Sequence, residues 1–201
     1  MKVVVVTGGI GSGKSMACTY LNNRYGWPVY EADSRVKDLY ACHATLLAEI
    51  ETALGANLRR DDGSLDPQAL SAIIFNDSDA LALVESIVFP VLLDDFEMWK
   101  SRHADSLFVV LESATILEKP HLSGIGDYVV LIDAPVNVRL DRATSRDKSS
   151  YERVKLRMAS QEMMNKISDG ILKAPVDRVV ENVGSVDDLR EKLDEFVENV
   201  V

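Results

Sequence analysis

The string Gly8-Gly9-Ile10-Gly11-Ser12-Gly13-Lys14-Ser15 constrains this chain more than any other. It fits the spacing G-x-x-x-x-G-K-[ST], and its flanks suit it. Val3 to Val6 is an unbroken β-branched run, the mark of a strand buried on both faces of a parallel sheet, and the residues from Lys14 to Arg24 read as helix. Glycines permit backbone angles that turn successive amide N–H groups inward around phosphate oxygens, and the following helix aims its positive end at the same anion. Gly9, Ile10, Gly11, Ser12, Gly13, Lys14, Ser15 and Met16 are therefore the expected contacts to a nucleoside triphosphate. Lys14 can reach the β- and γ-phosphates, and the Ser15 hydroxyl can ligate Mg²⁺. The bland alternative is a turn that merely joins strand to helix; pattern, flanks and N-terminal placement together favour the cradle. The nearest string to a guanine-reading Asn-Lys-x-Asp is Asn165-Lys166-Ile167-Ser168, which lacks the aspartate, so ATP is favoured.

Beyond the loop, short apolar runs alternate with helical periodicity. Pro28 to Tyr30, Leu107 to Leu111, Tyr128 to Ile132 and Arg178 to Val180 read as further strands. Between the second and third, Ser34 to Ala53 has helical spacing with a stop at Gly55, Asp66 caps a short helix with Pro67 at its first position, and Ser78 to about Arg102 reads as a helix kinked at Pro90. Arg139 to Arg146 and Tyr151 to Lys166 read as helices, and Ser185 caps a last one. Such alternation predicts an α/β fold, a parallel sheet with helices on both faces. The expected organisation is one domain over 1–201, carrying an inserted helical lobe at about 34–102.

Charge narrows the partners. The net charge is −10, which argues against a nucleic-acid or membrane-surface binder. From Arg139 to Arg178, however, ten Lys/Arg stand against six Asp/Glu, a local +4 that leaves −14 on the remainder. A cationic segment on an acidic chain suits a small anionic ligand better than a long polyanion, although on charge alone a solvated helix face is the preferred reading. No apolar run nears the roughly 18 residues that span a bilayer, and the start is too short for the apolar core of a secretory signal. Cys18 and Cys42 form no Cys-x-x-Cys pair, and His43, His103 and His121 have no metal-ligand spacing. The expectation is a cytoplasmic monomer with small-molecule partners.

Asp33 closes the second strand region, and ligands in open α/β sheets bind beyond the carboxyl ends of strands. A carboxylate there can accept the proton of an attacking hydroxyl, or simply cap the next helix. The whole set of strings resembles the dephospho-CoA kinases. Thr7 to Ser15 is similar to their opening loop, and Glu31-Ala32-Asp33 followed by Lys37 to their acid-Ala-Asp element and its basic residue. Asp62-Gly63-Ser64-Leu65-Asp66 with Ile74-Phe75 resembles their substrate lobe, and Glu112 to Glu118 their acidic segment. Asp133-Ala134-Pro135, Arg142, Arg146-Asp147, Arg157 and Gln161 follow the order of their lid, and Val176 to Asn182 resembles their last-strand element. The resemblance implies a P-loop NTPase three-layer sandwich with a helical substrate lobe and a helical lid at about 139–166.

It also implies transfer of the γ-phosphoryl of ATP to the ribose 3′-hydroxyl of dephospho-CoA. Lys14, Asp33, Arg142 and Arg146 would then be catalytic, with Asn182 beside the nucleotide, Asp33 and Lys37 on the acceptor side, and Arg157 and Gln161 holding the closed lid or binding a phosphate of the acceptor substrate. Mg²⁺ would rest on Ser15 and, through water, on Glu112. Taken alone, the arginines read rather as ordinary surface groups, and Glu112 equally as a helix-cap or loop carboxylate. Glu31 and Glu112 stand where the family has aspartate, Phe89 where it has histidine, Pro67 where arginine is common, and Arg139 where an uncharged polar residue is usual. The remaining readings are another metabolite kinase on the same scaffold, a nucleotide-dependent switch or binding protein, and a non-catalytic relative.

Overall fold

The computed structural model describes residues 1–75, 77–119, 122, 124–168, 170–171 and 176–201. The chain forms two compact units, one made of residues 1–31 and 103–201, the other of 32–102.

The first unit is built on five parallel strands: β1 (Lys2–Thr7), β2 (Val29–Glu31), β3 (Phe108–Glu112), β4 (Tyr128–Asp133) and β5 (Arg178–Glu181), in the order β2-β3-β1-β4-β5. β1 is central and, apart from Lys2, buried throughout, as a β-branched run between two parallel neighbours requires. Its alternate residues feed two faces. Val4 and Val6 join Val110, Val130, Ile132 and Val180 in a core closed by α1 (Lys14–Tyr25) and α9 (Val186–Val200) through Leu21, Leu189, Leu193 and Phe196. Val5 points the other way, toward Ile116, Leu122, Ile125 and Met163. There a 3-10 turn (Ile116–Glu118) and α8 (Glu162–Ser168) lie over the sheet. The expected α/β parallel sheet is present.

Between β4 and β5 the chain forms α6 (Val136–Asp147), α7 (Tyr151–Ala159) and α8. Leu140 and Ala143 of α6 pack on Val154 and Met158 of α7. The single helix expected from Tyr151 to Lys166 is broken at Ser160-Gln161. The Gln161 amide bonds the Met158 carbonyl in a tightened last turn, and its side chain is drawn off to the phosphate loop. α9 starts in a reciprocal cap: Ser185 Oγ accepts from the Asp188 amide, and the Asp188 carboxylate accepts from the Ser185 amide.

The second unit holds α2 (Ala32–Cys42), α3 (Leu46–Leu54), α4 (Pro67–Ile74) and α5 (Ser78–Ser101). The helix expected from Ser34 to Ala53 is two helices. His43 breaks the run because its Nδ1 accepts the Leu46 amide at 3.2 Å, satisfying a free donor at the start of α3. Gly55 ends α3 in the left-handed conformation, and Asp66 caps α4 with Pro67 behind it, as expected. α5 runs unbroken through Pro90. Ser86, whose carbonyl loses its ladder donor there, and Pro90 are both exposed, so water can take the donor's place. No described helix is long and apolar enough to cross a membrane.

Candidate active site

The phosphate loop bridges β1 and α1, and its conformation follows from how its carbonyls are held. Gly8, Gly11 and Gly13 have φ of +148°, +78° and +106°, angles an L side chain rarely takes. The Gly9 carbonyl accepts from the Ser12 amide at 3.1 Å, and Lys14 Nζ donates to the Gly8 and Gly9 carbonyls at 2.9 and 3.5 Å. The Ile10 carbonyl accepts from Arg139 Nε at 3.1 Å, and the Ser12 carbonyl from Asn182 Nδ2 at 2.7 Å. With these oxygens engaged and the Ile10 amide bonded to Gln161, the remaining loop amides are left for an anion. α1 has no acidic residue in its first turn, so its positive end is undiluted. Lys14 is buried; Ser15 and Met16 are exposed beside it. They border a groove between α1 and α9 that Thr19, Val186, Leu189 and Arg190 also line.

Of the expected lid residues, Gln161 bonds the loop directly and Arg142 reaches it through Asn182. Asn182 is buried: its amide donates to the Asp133 carbonyl at 2.7 Å, and its own carbonyl accepts from Arg142 at 3.0 Å. Its side chain thus braces the loop from behind. Gln161 is also buried, with Oε1 accepting from the Ile10 amide at 2.8 Å. Arg146 and Arg157 share Asp147, at 2.7 and 2.8 Å. The two guanidiniums hold the Asp147 carboxyl down at about 2, and the carboxylate in turn raises Arg146. Beyond Asp147, Lys148 takes a left-handed φ of +46°, which turns the chain into α7. The string Asn165-Lys166-Ile167-Ser168 lies within α8, where Asn165 Nδ2 caps the Met158 carbonyl; it forms no base-reading loop.

On the acidic side, Glu112 ends β3 opposite Val6 of β1 and Glu31 of β2, at the sheet edge from which the phosphate loop departs. Together with Ser15 this suits Mg²⁺, which keeps most of its waters and rests mainly on phosphate oxygens. Among the described residues no three His, Cys, Asp or Glu side chains gather to hold a metal by themselves. Cys18, one turn after Lys14, is a buried thiol that burial and the charge of Glu112 push far upward, hence unreactive. His121 lies outside the described residues.

Asp33 and Lys37 belong to the second unit. Helix α2 already begins at Ala32, so Asp33 sits inside its first turn and is not the residue preceding the helix; Asp33 and Lys37 are exposed, one turn apart. In the same unit Arg35 grips Asp95 of α5 with two bonds of 2.7 Å. Arg139 was not singled out as a site residue by its sequence position. The available signal was its spacing, one turn before Ala143 on the stripe that α6 buries.

A sequence profile of dephospho-CoA kinases matches residues 2–188. The chain belongs to the dephospho-CoA kinase family. A dephospho-CoA kinase of Porphyromonas gingivalis is 37% identical over 90% of this chain and 86% of its own length, and one of Salinibacter ruber is 34% identical over 96% and 94%. Among solved structures, a Thermus thermophilus protein superimposes with a TM-score of 0.80 and 26% identity over 100% of this chain and 98% of that one. A shikimate kinase of Acinetobacter baumannii, at 18% identity over 100% and 94%, has a TM-score of 0.55 and shares the fold. The family's P-loop kinase fold implies use of ATP, and the expected three-layer P-loop architecture agrees with these neighbours.

Proposed function

We propose that the protein transfers the γ-phosphoryl group of ATP to the ribose 3′-hydroxyl of dephospho-CoA, giving ADP and coenzyme A. Membership of the dephospho-CoA kinase family across residues 2–188 carries this reading, because the match includes the acceptor-side strings as well as the phosphate loop that many kinases share.

Phosphoryl transfer is chiefly positioning plus neutralisation of spreading negative charge. The loop amides and the N-terminus of α1 hold the β- and γ-phosphates, and Lys14 leaves the Gly8 carbonyl for their oxygens. Met16 flanks the nucleotide, and Asn182 keeps the loop in shape from below. Ser15 and, through water, Glu112 would hold Mg²⁺, which would supply positive charge against the phosphates. Arg142 and Arg146, one turn apart on α6, supply further positive charge. Asp33 takes the proton of the 3′-hydroxyl as its oxygen bonds to the γ-phosphorus, while the bond from that phosphorus to the bridging oxygen breaks and ADP departs. Lys37 was expected on the acceptor side, and Arg157 and Gln161 either there or holding the closed lid. Lys37 and Arg157 are exposed and keep that role in this reading; Gln161, bonded to the loop, does not.

The reading extends to a single functional domain over 1–201 and to a cytoplasmic monomer. Both cysteines are free thiols, which fits a reducing compartment, and the net charge of −10 disfavours nucleic acid. ADP release measured with dephospho-CoA, adenosine, nucleoside monophosphates and shikimate tests it. Dephospho-CoA is expected to be the acceptor that accelerates release; turnover confined to another acceptor rejects the assignment.

A further inference from the structure

Ile10 is held by the lid segment at every group it offers. Its side chain packs on the cluster formed by Leu140, Ala143, Val154 and Met158 of α6 and α7. Its N–H donates to Gln161 Oε1 at 2.8 Å, and its carbonyl accepts from Arg139 Nε at 3.1 Å. Arg139 is 0% exposed and Gln161 4%. The approach is so close that a Cβ at Gly9 would fall on the Arg139 guanidinium, and one at Gly11 on the Arg139 backbone carbonyl.

The consequence lies in the geometry of the peptide bond. In a trans peptide the C=O and N–H point in opposite directions, so pinning one aims the other; no peptide in the described chain is cis. Gln161 pins the N–H of the Gly9–Ile10 peptide and thereby turns the Gly9 carbonyl away, where the Ser12 amide and Lys14 take it up. Arg139 pins the carbonyl of the Ile10–Gly11 peptide and thereby turns the Gly11 N–H away from the lid helix. The Gly11 N–H makes no hydrogen bond among the described residues.

We propose that Arg139 and Gln161 are positioning residues that set two successive peptide planes of the phosphate loop, so that Ile10 N–H is withheld from the nucleotide and Gly11 N–H is presented to it. The inference rests on the loop being a triphosphate cradle. It assigns Gln161 to the nucleotide side and gives Arg139 a task that needs its length and its donor. A loop set in advance binds without the cost of ordering itself.

Amide hydrogen exchange on the unmodified protein is the primary test, since it needs no variant to fold. Without nucleotide, Ile10 N–H is expected to exchange at least about a hundredfold more slowly than Gly11 N–H. ATP is expected to slow Gly11 and leave Ile10 unchanged. Ile10 exchanging as fast as Gly11 overturns the proposal. Slow exchange at Ile10 with no effect of ATP on Gly11 would instead remove the cradle reading and leave the grip standing. Arg139→Met and Gln161→Met, which keep apolar stem length but lose the hydrogen bond, are expected to raise the KM for ATP about tenfold with the KM for dephospho-CoA within about twofold. Arg139→Lys, which restores a donor, is expected to recover most of that loss. Folded variants with an unchanged KM for ATP, or with equal losses for both substrates, contradict a positioning role.

Discussion

Lys14 and Asp33 carry opposite ends of the proposed reaction, and each can be separated from its simpler reading by one substitution. Lys14 is tied to the Gly8 carbonyl, so it costs little to keep it near the phosphates before they gain charge. Lys14→Ala is expected to lower kcat by at least about a hundredfold while KM for ATP changes far less, because the missing charge matters most in the transition state. An unchanged kcat would return Lys14 to a loop-bracing role. Asp33→Asn keeps shape and loses the base; it is expected to retain ATP affinity and lose about 10²–10⁴-fold in transfer. Full activity in that variant would remove Asp33 from the chemistry. Gly13 tests the loop itself. With φ at +106° and Asn182 Nδ2 where a Cβ would lie, Gly13→Ala faces both strain and collision. A loss of about 1–3 kcal/mol in stability is expected by chemical denaturation. At this scale the sequence announced the glycines and the lysine through their spacing alone. It was silent on Arg139 and on the supporting task of Asn182, because both act on backbone atoms that the fold brings from more than a hundred residues away.

At the scale of elements, α6 and α7 are joined by Asp147 between Arg146 and Arg157 and turned by Lys148 in a left-handed conformation. The folded-state pKa of Asp147 lies below its ordinary value, so its ionised form is the stabilising one. That contribution is complete above about pH 4 and fades as pH falls toward about 2. Both arginines are more than half exposed, which screens the pair and keeps the effect modest. Asp147→Asn is therefore expected to lower the unfolding midpoint at pH 6 by a small amount that vanishes near pH 2. A difference that grows with acidification would contradict the pairing. Element types were readable from periodicity, but the breaks at His43 and at Ser160-Gln161 were not. In each, a polar side chain bonds a backbone amide, His43 to Leu46 and Gln161 to Ile10, and hydrophobic periodicity does not register such bonds. The helix expected from Ser78 to about Arg102 was readable despite Pro90, which lies exposed within α5.

The whole molecule divides into a sheet-based unit that holds the phosphate loop and lid, and a helical unit that begins at Ala32. The order of motifs was legible end to end because each strand of the sheet hands over to a chemically marked segment: the loop after β1, Glu31 to Asp33 at β2, Glu112 at β3, the cationic helices after β4 and Asn182 after β5. Illegible were the loop's fastenings, which depend on β4 lying beside β1 and β5 beside β4 in the sheet order and not on any local signal. The central claim is that this arrangement delivers a phosphoryl group to one hydroxyl of one acceptor. Its most direct test is to incubate the protein with ATP, magnesium and dephospho-CoA and to locate the new phosphate on the product by phosphorus NMR. One 3′-phosphorylated product per ADP released is the predicted result. ADP and inorganic phosphate formed at a rate indifferent to dephospho-CoA would contradict it.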